Sequence, residues 1–338
     1  MPHKLTVSLI GLMFLFSASL SQRLSADDST RDCFSKRNAL NQPWTTKPQY
    51  EKGLGVIAVG SGPLGVQFDG ADLWVASSTN PDGALSRVRA SDGKLLETWT
   101  HAYGGYAVLS AMGRIFVTGG FSGPGPLFMI DPSQPAGTTT IVTNQLGSQP
   151  IALAFDGEHI WTANLGGSIS IITPQIDLPW SVVTKTDGFA TPYAILYKAP
   201  NMWVADAGSG SLLKLDSQGV VIQRTLIGDA ILGIAFDGSR FWLPMFNHNS
   251  IAIVDATTGK ILRKVIGNGL NQPFSIAFDG ERILVTNQTA DSVSLWKACD
   301  FSPIGTFSTG VGSRPGLACS DGLNFWITLN GTNKLARF

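Results

Sequence analysis

The sequence predicts an all-β chain, a seven-bladed β-propeller of four-stranded antiparallel blades whose last blade is closed by the N-terminal strand. Three observations carry that prediction. A phrase recurs seven times: a strand ending in FDG in the four clearest copies, from Phe68, Phe155, Phe236 and Phe278, and in a weaker counterpart in the other three, then Trp or an apolar substitute about four residues later and a VTN-like turn. Its anchors are Trp74, Phe116, Trp161, Trp203, Trp242, Leu284 and Trp326, separated by 42, 45, 42, 39, 42 and 42 residues. A period near forty belongs to stacked units that cannot bury their apolar faces alone. Each unit also divides into four short runs rich in Val, Ile, Phe and Thr, bounded by Gly, Asn, Asp or Pro, which is strand-and-turn chemistry. Finally, the seventh unit stops at NKLARF after three runs, and a matching fourth run, GLGVIAVGSG (53–62), stands at the other end of the sequence.

Taken in order, residues 1–26 read as a signal peptide. Lys4 closes a short basic region, an apolar stretch runs from Leu5 to Leu20, and Ser19, Ser21 and Ala26 offer small residues for cleavage. Export to the periplasm or the extracellular space is the expectation, with no stable membrane insertion after cleavage. Residues 27–52 form an N-terminal extension, and 53–338 form the propeller. Charge is sparse at 14% and balanced at 24 basic against 24 acidic residues, with no basic stripe, so a nucleic-acid partner is not expected. Three cysteines in an oxidising compartment permit one disulfide. Cys33 with Cys299 is the preferred pair, and Cys319, at a position where the previous repeat has Ala277, reads as a buried small apolar residue.

Within each repeat the residue types have structural work. Trp supplies a large apolar body between neighbouring blades. Asp-Gly marks the turn between first and second strands, and Asp69, Asp156, Asp237, Asp279 and Asp321 share this position to satisfy turn backbone groups. Pro63, Pro150, Pro192, Pro273 and Pro315 stand at the start of the innermost strand, where no ladder donor is lost.

The phrases P-x-x-I-A-F-D-G-x-x-x-W-V-A-N and S-I-x-I-V-D-x-x-T-G-K resemble the YVTN-type β-propeller repeats and the related virginiamycin B lyase group, over residues 53–338. The motifs are specific for blade type and silent about activity. WD40 and kelch repeats are disfavoured: the chain has no Trp-Asp or Gly-His dipeptide, and its Gly119-Gly120 pair is not repeated. The lyase resemblance implies a metal with catalytic His and Glu near the channel mouth, and a gluconolactonase-like comparison implies a divalent cation on inward Glu, Asn and Asp. This chain offers only His101, His159 and His248 beyond His3, together with Glu51, Glu97, Glu158 and Glu281. Converging ligands are what a metal or general base needs. No catalytic residue, metal ligand or cofactor is therefore predicted, and a divalent cation is left open.

What remains is a loop face around the channel mouth, formed by the connections between second and third strands and between blades. The inter-blade crossovers place Tyr106, Gln149, Tyr193, Gln272 and Arg314 there. The other loops add Phe246 and His248, with Asn164, Asp206, Asn287 and Asn330. The candidate ligand-binding residues are Tyr106, Gln149, Tyr193, Phe246, His248, Gln272 and Arg314. A polar and aromatic face with little charge suits an unidentified protein, a glycan or a neutral small-molecule ligand. The expected function is an exported binding module; the alternative is a lyase or lactonase-like enzyme using the same mouth. Two longer loops, Ser77–Leu85 and Gly119–Leu127, stand on this face, either as one wall of a groove or as drift in a tolerant position.

Overall fold

A computed structural model describes residues 55–78, 83–120 and 122–338. It contains seven separate four-stranded antiparallel sheets. Blade 1 runs from its inner strand Pro63–Phe68 to its outer strand Leu95–Thr100, and blade 2 from Val108–Ala111 to Thr140–Thr143. Blade 3 spans Pro150–Phe155 to Ser181–Lys185, and blade 4 Pro192–Lys198 to Val221–Leu226. Blade 5 spans Ala235–Phe236 to Ile261–Ile266, and blade 6 Pro273–Phe278 to Pro303–Ser308. Blade 7 is built from both ends of the described chain: Pro315–Ser320, Phe325–Leu329, Lys334–Arg337 and then Gly55–Ala58. That last strand pairs antiparallel with its neighbour from Gly55 opposite Arg337 to Ala58 opposite Lys334. The five prolines each open an inner strand, as expected.

Burial follows position within the blade. Second strands such as Asp72–Ser77, Ile160–Asn164 and Phe325–Leu329 are buried at every residue, because both of their faces pack on neighbouring blades. Outer strands such as Ile261–Ile266 are mostly exposed. Trp74, Trp161, Trp203, Trp242 and Trp326 are each at most 1% exposed. Each lies against the next blade in the ring: Trp74 with Ile115, Val117 and Phe128, and Trp203 with Phe241, whose ring centre is 4.6 Å away. Trp326 of blade 7 packs with Leu73, Val75 and Val88 of blade 1. The contact that joins every blade to the next therefore also joins the last to the first, and the ring is closed.

The repeated Asp does more than satisfy its turn. In blade 5 the Asp237 Oδ1 accepts the amides of Ser239 and Arg240, while Oδ2 accepts Trp242 Nε1 at 2.8 Å. Asp69, Asp156 and Asp321 hold Trp74, Trp161 and Trp326 in the same way, at 2.7 Å. Blade 6 has Leu284 in place of Trp, and there Arg282 Nε occupies Asp279 Oδ2 at 2.8 Å. The large apolar body between blades is thus also a fixed hydrogen-bond donor.

Cys299 is disulfide-bonded and Cys319 carries a free thiol; Cys33 lies outside the described residues. Cys319 is half-buried rather than fully buried, lying against the cluster around Trp326. Residues 1–52, expected to be a signal peptide and an N-terminal extension, fall outside the described residues, and among those described no helix is long and apolar enough to cross a membrane.

Candidate functional site

The inter-blade crossovers are held by a recurring device. Asn249, Asp291 and Asn333, spaced 42 and 42 residues apart in the loops between second and third strands, adopt positive φ of 47°, 47° and 57°. Their side chains reach across to the following blade. Asn249 Oδ1 accepts Gln272 N at 2.7 Å, Asp291 Oδ1 accepts Arg314 N at 2.7 Å, and Asn333 Oδ1 accepts Gly62 N at 2.9 Å. Asn and Asp suit this job because a short polar side chain tolerates the left-handed region and can bond nearby backbone.

The residue that each latch grips precedes the strand-opening position and is left-handed as well: Gly62 at φ 63°, Gln272 at 48° and Arg314 at 47°; Gln149 of blade 3 stands at 57°. Glycine meets this requirement without strain, whereas Gln and Arg carry a Cβ against it. Gln272 is half-buried and Arg314 exposed. Gln272 Oε1 accepts a short hydrogen bond from Thr289 Oγ1. No ion pair to the Arg314 guanidinium occurs among the described residues.

Tyr106 and Tyr193 occupy a different place from these three. Both stand ten residues before their blade anchors, in blades 2 and 4, and their hydroxyls approach to 3.2 Å. Phe274, at the same position in blade 6, meets the Tyr193 ring edge-on with centres 6.0 Å apart. Side chains from alternate blades can meet only across the axis, so these aromatics cross the central channel. Burial pushes the Tyr106 hydroxyl above its ordinary range and the Tyr193 hydroxyl far above it, the neighbouring Tyr106 adding to the latter. Both stay neutral at physiological pH.

His248 has a partner that its own repeat does not announce. Asp229, in the crossover between blades 4 and 5, places Oδ2 at 2.8 Å from His248 Nδ1 and 2.8 Å from His248 N. Its Oδ1 accepts Ala230 N, Asn247 N and Asn247 Nδ2. The carboxylate is fully buried, whereas the imidazole is 63% exposed. Burial raises the Asp229 pKa, but the His248 side chain and amide, with Asn247 and Ala230, outweigh it and hold the group below the ordinary carboxylate range. A neutral imidazole donating Nδ1–H to Asp229 turns Nε2 outward as an acceptor. Phe246 is half-buried beside it and donates its amide to Ala230 O at 3.0 Å.

Three other expected face residues are interior. Asn164 and Asn287 are fully buried; Asn164 Nδ2 bonds Ser168 and Ser170, and Asn287 Nδ2 bonds Ser292 and Ser294. Asp206 is also fully buried and accepts the amides of Ala190, Thr191 and Ser209. A short side chain at the end of a second strand turns back onto loop backbone there, so these positions build the loops rather than face a ligand. Asn330 likewise donates to Pro63 O at 3.3 Å across the blade 7–blade 1 seam. The Gly119–Leu127 loop leans on blade 3: Gln149 N bonds Gly123 O, and a Cβ at Gly125 would strike the Pro150 ring. Residues 79–82 and 121 of the two long loops lie outside the described residues.

The metal implied by the lyase resemblance does not fit these residues. Among the described residues no group of three or more His, Cys, Asp or Glu could hold an ion. The carboxylate nearest His248 is engaged by five donors of its own loops. His101 and His159 stand elsewhere, His101 beside Thr100 Oγ1 and His159 beside the Asp156 turn. Glu97 pairs with Arg87 at 3.0 Å, and Glu281 is half-buried at the Asp279 turn, donating its amide to Asp279 Oδ1.

No protein-family profile matches the sequence, and no curated protein sequence matches it either. Solved structures do match at the level of fold. Selenomethionine-substituted virginiamycin B lyase from Staphylococcus aureus superposes with a TM-score of 0.70 at 16% identity, covering 84% of this chain and 98% of the lyase. A catalytically inactive variant of that enzyme with Quinupristin gives 0.70 at 15% identity over 84% and 98%. A streptogramin B lyase gives 0.69 at 17% identity over 84% and 96%. At such identities the likeness establishes the seven-bladed fold and nothing finer.

Proposed function

We propose that this propeller is a binding module whose mouth face engages a neutral partner, a protein segment or a glycan, through Gln149, Gln272 and Arg314. The carrying observation is that these three keep long polar side chains at a left-handed position where blade 1 uses Gly62. Strain of order 1 kcal/mol per residue is retained at the rim, which is where strained residues with a binding role are found. Latches beneath two of them fix the backbone, so their side chains present a pre-set pattern and lose little freedom on binding.

The test is a titration of neutral oligosaccharides and peptides into the full chain and into a Gln149→Gly/Gln272→Gly/Arg314→Gly variant. Saturable binding that the variant loses, with its unfolding midpoint unchanged or raised, is the expected result. Equal binding by both proteins would remove the rim from the reading.

A second reading has one observation in its favour, the Asp229–His248 pair. A buried carboxylate orienting an exposed imidazole prepares a proton acceptor, which suits an elimination or hydrolysis at the mouth. Incubation with Quinupristin, the compound held by the lyase variant, followed by mass spectrometry tests it. Turnover abolished by His248→Ala would favour the enzyme, and an unchanged compound would leave the binding module.

A further inference from the structure

The axis of the ring holds a cavity of about 160 Å³ that the rim does not use. Its walls come from the inner strands of six blades and, in blade 5, from Gly233 and Ile234 just before the inner strand. Eight residues before the anchor, Val66, Val108, Leu153, Ile195, Ile234 and Ile276 supply branched aliphatic side chains from six of the seven blades. No charged side chain lines it. Besides the two tyrosines the one polar side chain is Ser275, which is 5% exposed and already accepts Ala318 N at 3.2 Å.

Tyr106 and Tyr193 contribute the remaining polar side chains. Two hydroxyls facing each other at 3.2 Å make one hydrogen bond. Whichever donates, one phenolic proton is left with no acceptor among the described residues. Both tyrosines are half-buried and line the cavity, so that proton is placed where an occupant can reach it. An ion is a poor occupant, because no charged side chain here compensates its desolvation. A cavity of about this size with an aliphatic side-chain ring has room for a molecule such as benzene.

We propose that the axial cavity binds a small, neutral, largely apolar molecule bearing one hydrogen-bond acceptor, seated against the Tyr106–Tyr193 pair. The aliphatic ring supplies the body of the site and the spare hydroxyl proton its orientation, the usual division of labour in small-molecule pockets. This site is separate from the rim surface and does not depend on the rim having a partner.

Acetophenone and ethylbenzene are the probes, since they share size and shape and differ in the carbonyl acceptor. Calorimetric titration of the full chain is expected to show saturable binding of both, with acetophenone tighter by roughly fivefold, the worth of one neutral hydrogen bond. In Tyr106→Phe/Tyr193→Phe that preference should disappear while ethylbenzene binding persists. In the single variant Tyr193→Phe, checked for an unchanged unfolding midpoint, the Tyr106 hydroxyl is left as the lone donor, so the acetophenone preference should persist there, and its loss would overturn the proposal. Crystals soaked in 4-bromoacetophenone should place the bromine anomalous peak on the axis. No saturable binding of either probe, equal affinities in the unmodified protein, or bromine only off the axis would each overturn the proposal, whatever the rim binds.

Discussion

Asp237 shows how much a single repeated residue carries. One oxygen closes the turn and the other holds Trp242 and Arg240, Arg240 Nε standing at 2.7 Å. Removing the carboxylate leaves the buried indole N–H without a partner and strips the Arg240 guanidinium of its counter-charge, leaving it the Ala298 carbonyl alone as acceptor. Asp237→Ala should therefore cost about 3 kcal/mol in urea unfolding. Burial raises the Asp237 pKa, yet the Trp242, Ser239 and Arg240 hydrogen bonds and the Arg240 charge bring it below the ordinary value. A carboxyl depressed on folding stabilises above its unfolded pKa, about 3.9, and that stabilisation fades as pH falls through the folded value. Urea midpoints of the unmodified chain and Asp237→Asn should converge as pH falls below about 4. The turn role of this Asp was legible in the sequence from its recurrence beside Gly. Its hold on the indole was not, because the bond runs five residues across a turn whose geometry the spacing alone does not fix. Cys319 gives a simpler case: burial, with the Asp321 charge adding, pushes its thiol far above its ordinary range. Iodoacetamide at pH 8 should label it only after unfolding.

At the scale of the connecting elements, the rim is a set of latched turns. Sequence reasoning picked Gln149, Gln272 and Arg314 as face residues, but the shared left-handed backbone was hidden, with Gly62 in blade 1 its single trace. Asp229 was missed for a related reason. It lies 19 residues from His248, and only the fold brings a crossover beside a loop of the next blade. The same reasoning overreached at Asn164, Asp206 and Asn287, where loop position suggested exposure and side-chain length instead favoured bonding back onto the blade. If strain at the rim is retained for binding, relieving it should stabilise. Gln272→Gly and Arg314→Gly are each expected to raise stability by up to about 1 kcal/mol, the left-handed penalty less the extra unfolded-state entropy of glycine. Asp291→Ala should act in the opposite direction, freeing Gly312 N and Arg314 N. Faster hydrogen exchange confined to residues 310–315 would register it.

For the whole molecule, the sequence disclosed closure through a count and a gap: seven anchors, a last unit short of one strand, and a spare strand at the other end. It did not disclose what else crosses the seam. Trp326 packs on blade 1, Thr328 Oγ1 donates to Leu64 O at 3.0 Å, and Asn333 grips Gly62. These contacts repeat the interfaces between sequential blades, so the ring has no weak end from which to fray, unlike an open stack of repeats. The N-terminal strand is the one part of the seam that can be removed without altering any core side chain of blades 1 to 6. A chain beginning at Val59 would leave the edge Lys334–Arg337 unpaired and uncover the cluster that Ile57 helps to cover. An open edge beside exposed apolar surface recruits other chains. Such a truncated chain should unfold at a lower temperature by scanning calorimetry and sediment as concentration-dependent oligomers. A synthetic GLGVIAVGSG peptide added in excess should reverse both changes, since it supplies the missing ladder and its apolar side chain together. A truncated chain that stays monomeric with an unchanged midpoint would mean that the Trp326 interface alone holds the ring shut, and that the shared blade contributes order at the edge rather than closure.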